Sequence, residues 1–273
     1  MADILWDVAC QTDPGRVRPR NEDAVGWLPR PGGAALVLAD GMARHAGGDV
    51  ASALVVEAAL PALGAAEGDP RAALHEALRR GHDAVVERAR QEPDLRGMGT
   101  TAVAALLDRR RVTWLHAGDS PLYWLRGGAV LLRSRDHSVT QVLVELGQLA
   151  PEAAASHPMA GQLTSSLGAK AWESVELSPE EGEGASFEVE LGDVVLLCSD
   201  GLTGELGDAR IAELACADGA AAERARRLVD AALGAGGRDN VSVAVAVAGA
   251  ARRRPGERRS PRRRAPAVVE PSG

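Results

Sequence analysis

Acidic residues recur where apolar runs meet glycine or asparagine, and this is the pattern in the sequence that points most directly to chemistry. The places are the single aspartates Asp40, Asp119, Asp200 and Asp239, and the triplet Asn21-Glu22-Asp23. A carboxylate at the buried end of a strand is unfavourable unless it is paired or binds a cation. Lys170 is the only lysine, so arginine or a metal ion must compensate these charges. Any one aspartate alone is more simply a turn residue, but five such places together favour a site for hard cations, Mg²⁺ or Mn²⁺.

Arg18 lies five residues before Asp23 in the segment RPRNED. A guanidinium beside a metal cluster is suited to bidentate capture of a phosphate group. Two hard cations could share a water, lower its pKa and direct the hydroxide in line at phosphorus. The residues therefore predict a phosphohydrolase that needs no protein nucleophile.

The order of the predicted elements favours a mixed α+β fold. Apolar runs and alternation predict strands over 4–11, 34–39, 101–107, 112–117, 122–125, 130–132, 187–191, 194–198 and 241–247, one beginning at 21–23 and a short one at Val175. Helical spacing predicts helices over 48–63, 70–90, 138–146, 211–216 and 220–233. Regular strand–helix alternation is missing, which argues against a doubly wound parallel sheet and for antiparallel sheets with helices packed outside.

The charge of the 273-residue chain is unevenly distributed. The formal net charge is −7, but residues 252–273 carry eight arginines against Glu257 and Glu270, a net charge of +6 that leaves −13 on residues 1–251. We predict a folded domain over residues 1–249 and a disordered Arg/Pro-rich tail over 250–273, because the tail has too few apolar residues to bury. The tail is either solvated with no dedicated partner or an electrostatic tether to something acidic, such as a membrane surface, a nucleic acid or the acidic domain itself.

Composition also excludes several classes of protein. The acidic domain argues against a specific nucleic-acid binder. The sequence has no run of about 18 apolar residues, so we predict no membrane span. Met1-Ala2-Asp3 lacks a secretory pattern. Cys10, Cys198 and Cys216 are too widely spaced for a disulfide framework or a zinc cluster. These features together predict a cytoplasmic protein with reduced thiols.

The acidic segments and their neighbours, taken in order over residues 3–248, resemble the protein phosphatase 2C family of metal-dependent serine/threonine phosphatases, bacterial type. The matching segments are RPRNEDA, VLADGM with HAGGDVAS, GMGTTA, LHAGDSPLYW, RDHSVTQVLVELG, HPMAGQLTSSLG, GDVVLLCSDGLTGEL and GGRDNVSV. The resemblance implies a four-layer α-β-β-α sandwich of two mainly antiparallel sheets flanked by helices. It also implies a monomer that hydrolyses phosphoserine and phosphothreonine in proteins by a metal-bridging water or hydroxide, opposing a bacterial serine/threonine kinase.

The resemblance assigns two core ions, Mn²⁺ or Mg²⁺, and a weaker third one. Its implied ligands are Glu22, Asp23, Asp40, Gly41, Asp119, Asp200 and Asp239. Asp40 would bridge the core ions, with the Gly41 carbonyl on one of them, and Asp119 would hold the third ion. Glu22 and Asp23 would bind directly or through water, and Asp200 and Asp239 would hold the other core ion. Arg18 would bind the substrate phosphate, and Asn240 would orient nearby groups.

The sequence departs from the family pattern at several positions. Ala43-Arg44 replace the usual glycine pair, and Arg44 either assists phosphate binding or pairs with surplus acid. Met42 stands where eukaryotic members have histidine, so no leaving-group acid is implied; His45 is a candidate for that role or a structural residue. Pro121 replaces the usual arginine. The Ala43-Arg44 change keeps open a catalytically impaired regulator that binds phosphoproteins. A different two-metal phosphohydrolase is a further alternative.

Overall fold

The computed structural model describes residues 4–42, 47–180 and 186–250. Its strands are β1 (Ile4–Asp13), β2 (Asp23–Arg30), β3 (Gly33–Met42), β4 (Gly99–Thr100), β5 (Ala102–Leu107), β6 (Arg111–Ala117), β7 (Leu122–Arg126), β8 (Ala129–Arg133), β9 (Ser186–Glu188), β10 (Val194–Cys198) and β11 (Val241–Ala250). Its α-helices are α1 (Gly48–Ala65), α2 (Pro70–Gln91), α3 (Val139–Glu145), α4 (Asp200–Thr203), α5 (Asp208–Cys216) and α6 (Ala221–Ala235). Short 3₁₀ helices lie at Pro93–Leu95, Pro151–Ser156 and Trp172–Ser174.

The strands form two antiparallel sheets. One has the order β1-β11-β10-β7-β8, and the other has the order β2-β3-β5-β6-β9 with β4 beside β3. In the first sheet β1 and β11 pair along their whole length, from Ile4 opposite Ala250 to Asp13 opposite Val241. The first and last strands of the domain therefore lie next to each other.

Three apolar clusters give the four layers. One lies between the facing sheets, with Leu36, Leu38 and Val195 fully buried. A second packs α1 and α2 on the β2–β9 sheet, and a third packs α5 and α6 on the other sheet. Because both faces of each sheet are covered, β3 and β10 are continuous apolar runs instead of alternating ones. The α-β-β-α sandwich predicted above is confirmed.

Helix α1 is the one helix in the described ranges that is long and apolar enough to span a membrane, by length and composition, with a mean hydropathy of 1.4. It packs against β2, β3 and α2 and buries Val55 and Leu63 in the cluster beneath them. This environment accounts for its apolar composition as a core helix of the sandwich.

Most predicted elements form within a few residues of their predicted bounds, and two predictions need correction. Val175 is not in a strand: it follows a 3₁₀ turn, and its N–H donates to the carbonyl of Trp172. The strand predicted over 187–191 is shorter, because the chain turns at Leu191 so that the Asp193 N–H donates to Glu190. Residues 43–45 and the predicted tail beyond Ala250 lie outside the described residues.

Candidate metal centre

A cavity of about 280 Å³ opens at the end of the sandwich where β3 and β10 finish and β11 begins. Its lining residues are Arg18, Glu22, Asp40, Gly41, Met42, Thr101, Asp119, Gly161, Leu163, Asp200, Asp239 and Asn240. Eight of the nine predicted site residues are in that set. The ninth, Asp23, lies directly opposite Asp40 in the β2–β3 pairing and accepts a hydrogen bond from the Ser199 hydroxyl at 2.8 Å.

The two sheets each contribute carboxylates to this cavity. Asp40 lies near the end of β3, and Asp119 follows β6 after a turn at Gly118, whose φ is +106°. Asp200 begins the short helix α4 immediately after β10, and Asp239 comes just before β11. The cavity therefore depends on the register of both sheets and on the packing between them.

The backbone of Asp40 is fixed by two threonines. Its N–H donates to Thr101 Oγ1 at 3.0 Å, and its carbonyl accepts from Thr100 Oγ1 at 2.8 Å and from the Thr101 N–H at 2.9 Å. Thr101 Oγ1 also shares a hydrogen bond of 2.7 Å with the buried hydroxyl of Ser120. These contacts set the direction of the Asp40 side chain and leave its carboxylate facing the cavity.

Two glycines allow β3, α1 and Glu22 to approach closely. A Cβ on Gly41 would lie 2.0 Å from the carbonyl oxygen of Gly48 and 2.6 Å from that of Glu22. A Cβ on Gly48 would lie 2.8 Å from the carboxyl carbon of Glu22. A side chain at Gly48 would push the Glu22 carboxylate away from the end of β3, and one at Gly41 would separate β3 from the backbone of Gly48 and Glu22.

The carboxylates of the cavity repel one another. Burial, and next the neighbouring carboxylates, raise the pKa of Asp40 well above its usual range and that of Asp119 to about 7. Burial likewise raises the pKa of Asp200, with Asp239 adding to the effect, and raises that of Asp23 to about 6. The buried Oδ1 of Asp23 has no hydrogen-bond partner among the described residues.

This donor set fits hard divalent cations. It consists of carboxylate and carbonyl oxygens, with neither cysteine nor histidine in the cavity lining, which is the ligand chemistry that Mg²⁺ and Mn²⁺ prefer. In the described ranges no three acidic, histidine or cysteine side chains already form a closed coordination group. The carboxylates thus face a common cavity as an open set, and a cation would offset the burial and the mutual repulsion that raise their pKa values.

Arg18 lies at the mouth of the cavity. Its Nη2 contacts Asp239 Oδ2 at 2.7 Å, and its side chain is 54% exposed. The hydrogen bond to Asp239 raises the pKa of Arg18, so the guanidinium remains charged while most of it faces solvent. It is available to a phosphate group that enters the cavity.

Four residues of the lining were not among the predicted site residues: Thr101, Gly161, Leu163 and Met42, which was noted only as a departure from the family pattern. Thr101 lies in GMGTTA, where two adjacent threonines at a strand start were the available signal. Gly161 and Leu163 come from the long segment after α3, which has no periodicity that would locate it.

Residues 16–234 match the family model of protein phosphatase 2C. The chain is 42% identical over 245 residues to the Mycobacterium tuberculosis serine/threonine protein phosphatase PstP, covering 89% of this chain and 45% of that protein. It is 34% identical to the protein phosphatase PhpP of Streptococcus pneumoniae, covering 88% of this chain and 96% of that protein. It also resembles the crystal structure of the PstP catalytic domain in complex with two manganese ions, with a TM-score of 0.76, 38% identity, and coverage of 90% of this chain and 99% of that one. This chain thus spans less than half of full-length PstP but almost all of its crystallised domain.

Proposed function

This chain belongs to the protein phosphatase 2C family, and from that membership we propose that it hydrolyses phosphoserine and phosphothreonine in proteins. The observation that carries the proposal is the position of Arg18 at the mouth of a cavity lined by four aspartates. We further propose that the reaction needs Mn²⁺ or Mg²⁺ and opposes a serine/threonine kinase.

The residues that would hold the ions are those of the open carboxylate set. Asp40 would lie between two ions, with the Gly41 carbonyl and Glu22 on one side and Asp200 and Asp239 on the other. Asp119 would hold a third ion. Asp23, which lies opposite Asp40 in the β2–β3 pairing, would bind an ion through a water molecule. When bound, the ions would lower the pKa of a water molecule and would place positive charge beside the phosphoryl oxygens.

The protein itself binds and orients the phosphorylated side chain. Arg18 offers its exposed N–H groups to two phosphate oxygens while Asp239 holds one edge of the guanidinium. Leu163 and Met42 give the cavity an apolar wall that displaces water from the side of the entering group. The nearby hydroxyls of Thr101 and Ser199 are engaged in hydrogen bonds with their neighbours, which agrees with a reaction that has no protein nucleophile.

Turnover of a phosphothreonine peptide with and without metal tests this proposal. We expect hydrolysis in Mn²⁺, loss of it in EDTA and recovery when Mn²⁺ is added back. Asp40→Asn and Asp200→Asn should each lower kcat by at least about a hundredfold. Asp230→Asn, on the exposed surface of α6, should leave it unchanged. Activity that survives EDTA, or full activity in both cavity variants, would refute the assigned site.

The same assay separates the two alternatives. A catalytically impaired regulator would bind the phosphopeptide at saturating Mn²⁺ without releasing phosphate. A different two-metal phosphohydrolase would prefer nucleotides or small phosphate esters over the phosphopeptide. Pro121, another departure from the family pattern, accepts a hydrogen bond from the Cys198 N–H at 3.1 Å through its carbonyl and is not among the residues that line the cavity.

We propose a cytoplasmic monomer as the working state. Its three cysteines are free, as expected in a reducing compartment. The arginine-rich residues 252–264 remain either a solvated tail or an electrostatic tether. Comparing the localisation of forms with and without the tail, at low and high salt, distinguishes these readings, because a tether weakens with salt.

A further inference from the structure

The loop between β1 and β2, residues 14–22, carries Arg18, and both of its ends are held by one side chain. Asn240 Nδ2 donates hydrogen bonds to the carbonyls of Pro14 and Arg20, each at 2.8 Å. Asn240 Oδ1 accepts the N–H of Glu22, also at 2.8 Å. Asn240 is 5% exposed, so these bonds are shielded from water.

The three partners specify an amide at position 240. Two carbonyls require an NH₂ group and one N–H requires an oxygen, so the partners also fix which way the amide points. An aspartate at this position would direct negative charge at two carbonyl oxygens. An alanine would leave three buried backbone groups without a partner.

The loop is joined to the start of β11 by further contacts around Asn240. The Arg16 N–H donates to the Gly237 carbonyl at 2.7 Å. A Cβ on Gly15 would lie 2.2 Å from the carbonyl oxygen of Asp239. Arg18 completes the connection through its ion pair with the Asp239 carboxylate. The loop and residues 237–240 therefore form one unit at the edge of the cavity.

We propose that Asn240 is a positioning residue that holds the 14–22 loop so that the Arg18 guanidinium stays beside Asp239 at the cavity mouth. It acts on the loop backbone and reaches the substrate phosphate through Arg18. This inference rests on the proposed function, which makes Arg18 the phosphate-binding group. It assigns to the amide a role in phosphate affinity that is separate from holding the ions.

A double-mutant cycle with Arg18→Ala and Asn240→Ala tests the proposal. The readouts are KM for a phosphothreonine peptide and the inhibition constant of inorganic phosphate, both at saturating Mn²⁺. We expect Arg18→Ala to weaken both roughly tenfold to a hundredfold, as loss of a charged hydrogen-bonding group does. Asn240→Ala should weaken both readouts nearly as much. The double variant should bind phosphate no more weakly than Arg18→Ala alone, because both changes remove the same interaction. Additive losses would overturn the proposal.

Two further variants exclude a merely structural effect. Asn240→Asp keeps the shape of the side chain and should fail to restore phosphate affinity. Asp193→Ala removes a buried hydrogen-bonded carboxylate at the other end of the sheet, so it should lower stability while leaving KM and phosphate inhibition within about twofold. If Asp193→Ala weakens phosphate binding as much as Asn240→Ala does, a positioning role is refuted.

Limited trypsin digestion tests the loop without relying on activity. The bonds after Arg16 and Arg20 lie inside the loop, and cleavage there requires local opening. We expect both to be cut at least about tenfold faster in Asn240→Ala than in the parent protein, with no such change in Asp193→Ala. Equal rates would contradict the role of the amide. If the protein hydrolyses no phosphopeptide, the proposed function fails, whereas the digestion rates still decide whether Asn240 holds the loop.

Discussion

At the scale of single residues, the side chains around the cavity are set mainly by hydrogen bonds to the backbone. Thr101 is the clearest case, because its hydroxyl receives the Asp40 N–H and pairs with Ser120. The carboxylate oxygens of Asp40 are thereby left for a cation. Asn240 follows the same principle on the other side of the cavity.

Thr101→Val should separate the hydroxyl from the shape of the side chain. Valine leaves the Asp40 N–H and the Ser120 hydroxyl without this partner, so we expect the free energy of unfolding to fall by about 1–3 kcal/mol. Mn²⁺ affinity should fall with it. Urea unfolding and calorimetric titration measure the two effects. Thr113→Val is the matched control, since Thr113 is buried and its hydroxyl makes no hydrogen bond with described residues; equal losses in both variants would contradict the prediction.

His137 should make stability depend on pH. The Gly118 N–H donates to its Nδ1 at 3.2 Å, so Nε2 carries the hydrogen and donates to Ser178 Oγ at 2.9 Å. Burial, and next the adjacent His116, lower the pKa of His137 to about 3. The unfolded chain takes up this proton below about pH 6.5 and the folded chain does not. The contribution of neutral His137 to the free energy of unfolding is therefore complete above pH 6.5 and is lost on acidification.

The comparison is between the parent protein and His137→Asn, both without metal, at pH 7.5 and 5.5. When the pH falls from 7.5 to 5.5, the free energy of unfolding should decrease by about 1.4 kcal/mol more in the parent than in the variant. Acidic groups of the cavity titrate alike in both proteins and cancel in the difference. Parallel pH profiles would show that His137 is protonated as easily in the folded state as in the unfolded one.

At the scale of elements, Asp193 joins β7 to the turn that leads into β10. Its carboxylate is fully buried and accepts from Arg126 Nε at 2.7 Å, from Trp124 Nε1 at 2.9 Å and from the Glu190 N–H at 2.9 Å. Burial alone would raise the pKa of Asp193, but these donors outweigh it and hold the pKa below its usual range. The network closes the end of the sheet farthest from the cavity.

Asp193→Ala should lower the free energy of unfolding by about 3 kcal/mol, because buried donors lose their acceptor. Asp230→Ala removes an exposed partner of Arg226 on α6 and should cost less than about 0.5 kcal/mol. Chemical denaturation of the two variants measures the difference. Similar losses would mean that the Asp193 network contributes no more than a surface ion pair.

The elements that the sequence predicts well are those whose environment is simple. β3 and β10 are covered on both faces, so an uninterrupted apolar run was sufficient to identify them. Val175 shows the limit of that signal, because a single apolar residue packs against the helical layer as readily from a turn as from a strand. The segment that brings Leu163 to the cavity is placed by tertiary contacts alone.

The candidate site also has a part that the sequence predicts and a part that only tertiary contacts determine. Carboxylates at strand ends were predictable because the strands of each sheet bring their ends together, and the family resemblance supplied their roles. The three backbone partners of Asn240 were not predictable, since Pro14 and Arg20 lie more than 200 positions away in sequence.

At the scale of the whole molecule, the negative charge of the cavity opposes folding unless cations are present. Mn²⁺ at a hundred times its dissociation constant should stabilise the protein by about 2.7 kcal/mol and raise its Tm. Asp40→Asn should remove most of this gain and should raise the Tm of the metal-free protein, because one repelling charge is gone. Thermal unfolding with and without Mn²⁺ measures both; an equal Mn²⁺ shift in the variant would place the ions elsewhere.

The pairing of β1 with β11 also has a consequence for the newly made chain. Strand β1 is translated long before its partner β11, since Ile4 pairs with Ala250 and Asp13 with Val241. Until then β10 lacks its neighbour, and Arg18 and Glu22 lack the residues that hold their loop. Contacts of such long sequence separation form late and slowly. The candidate metal centre therefore stays incomplete through most of the synthesis of the domain, and it is assembled only when translation has passed residue 250.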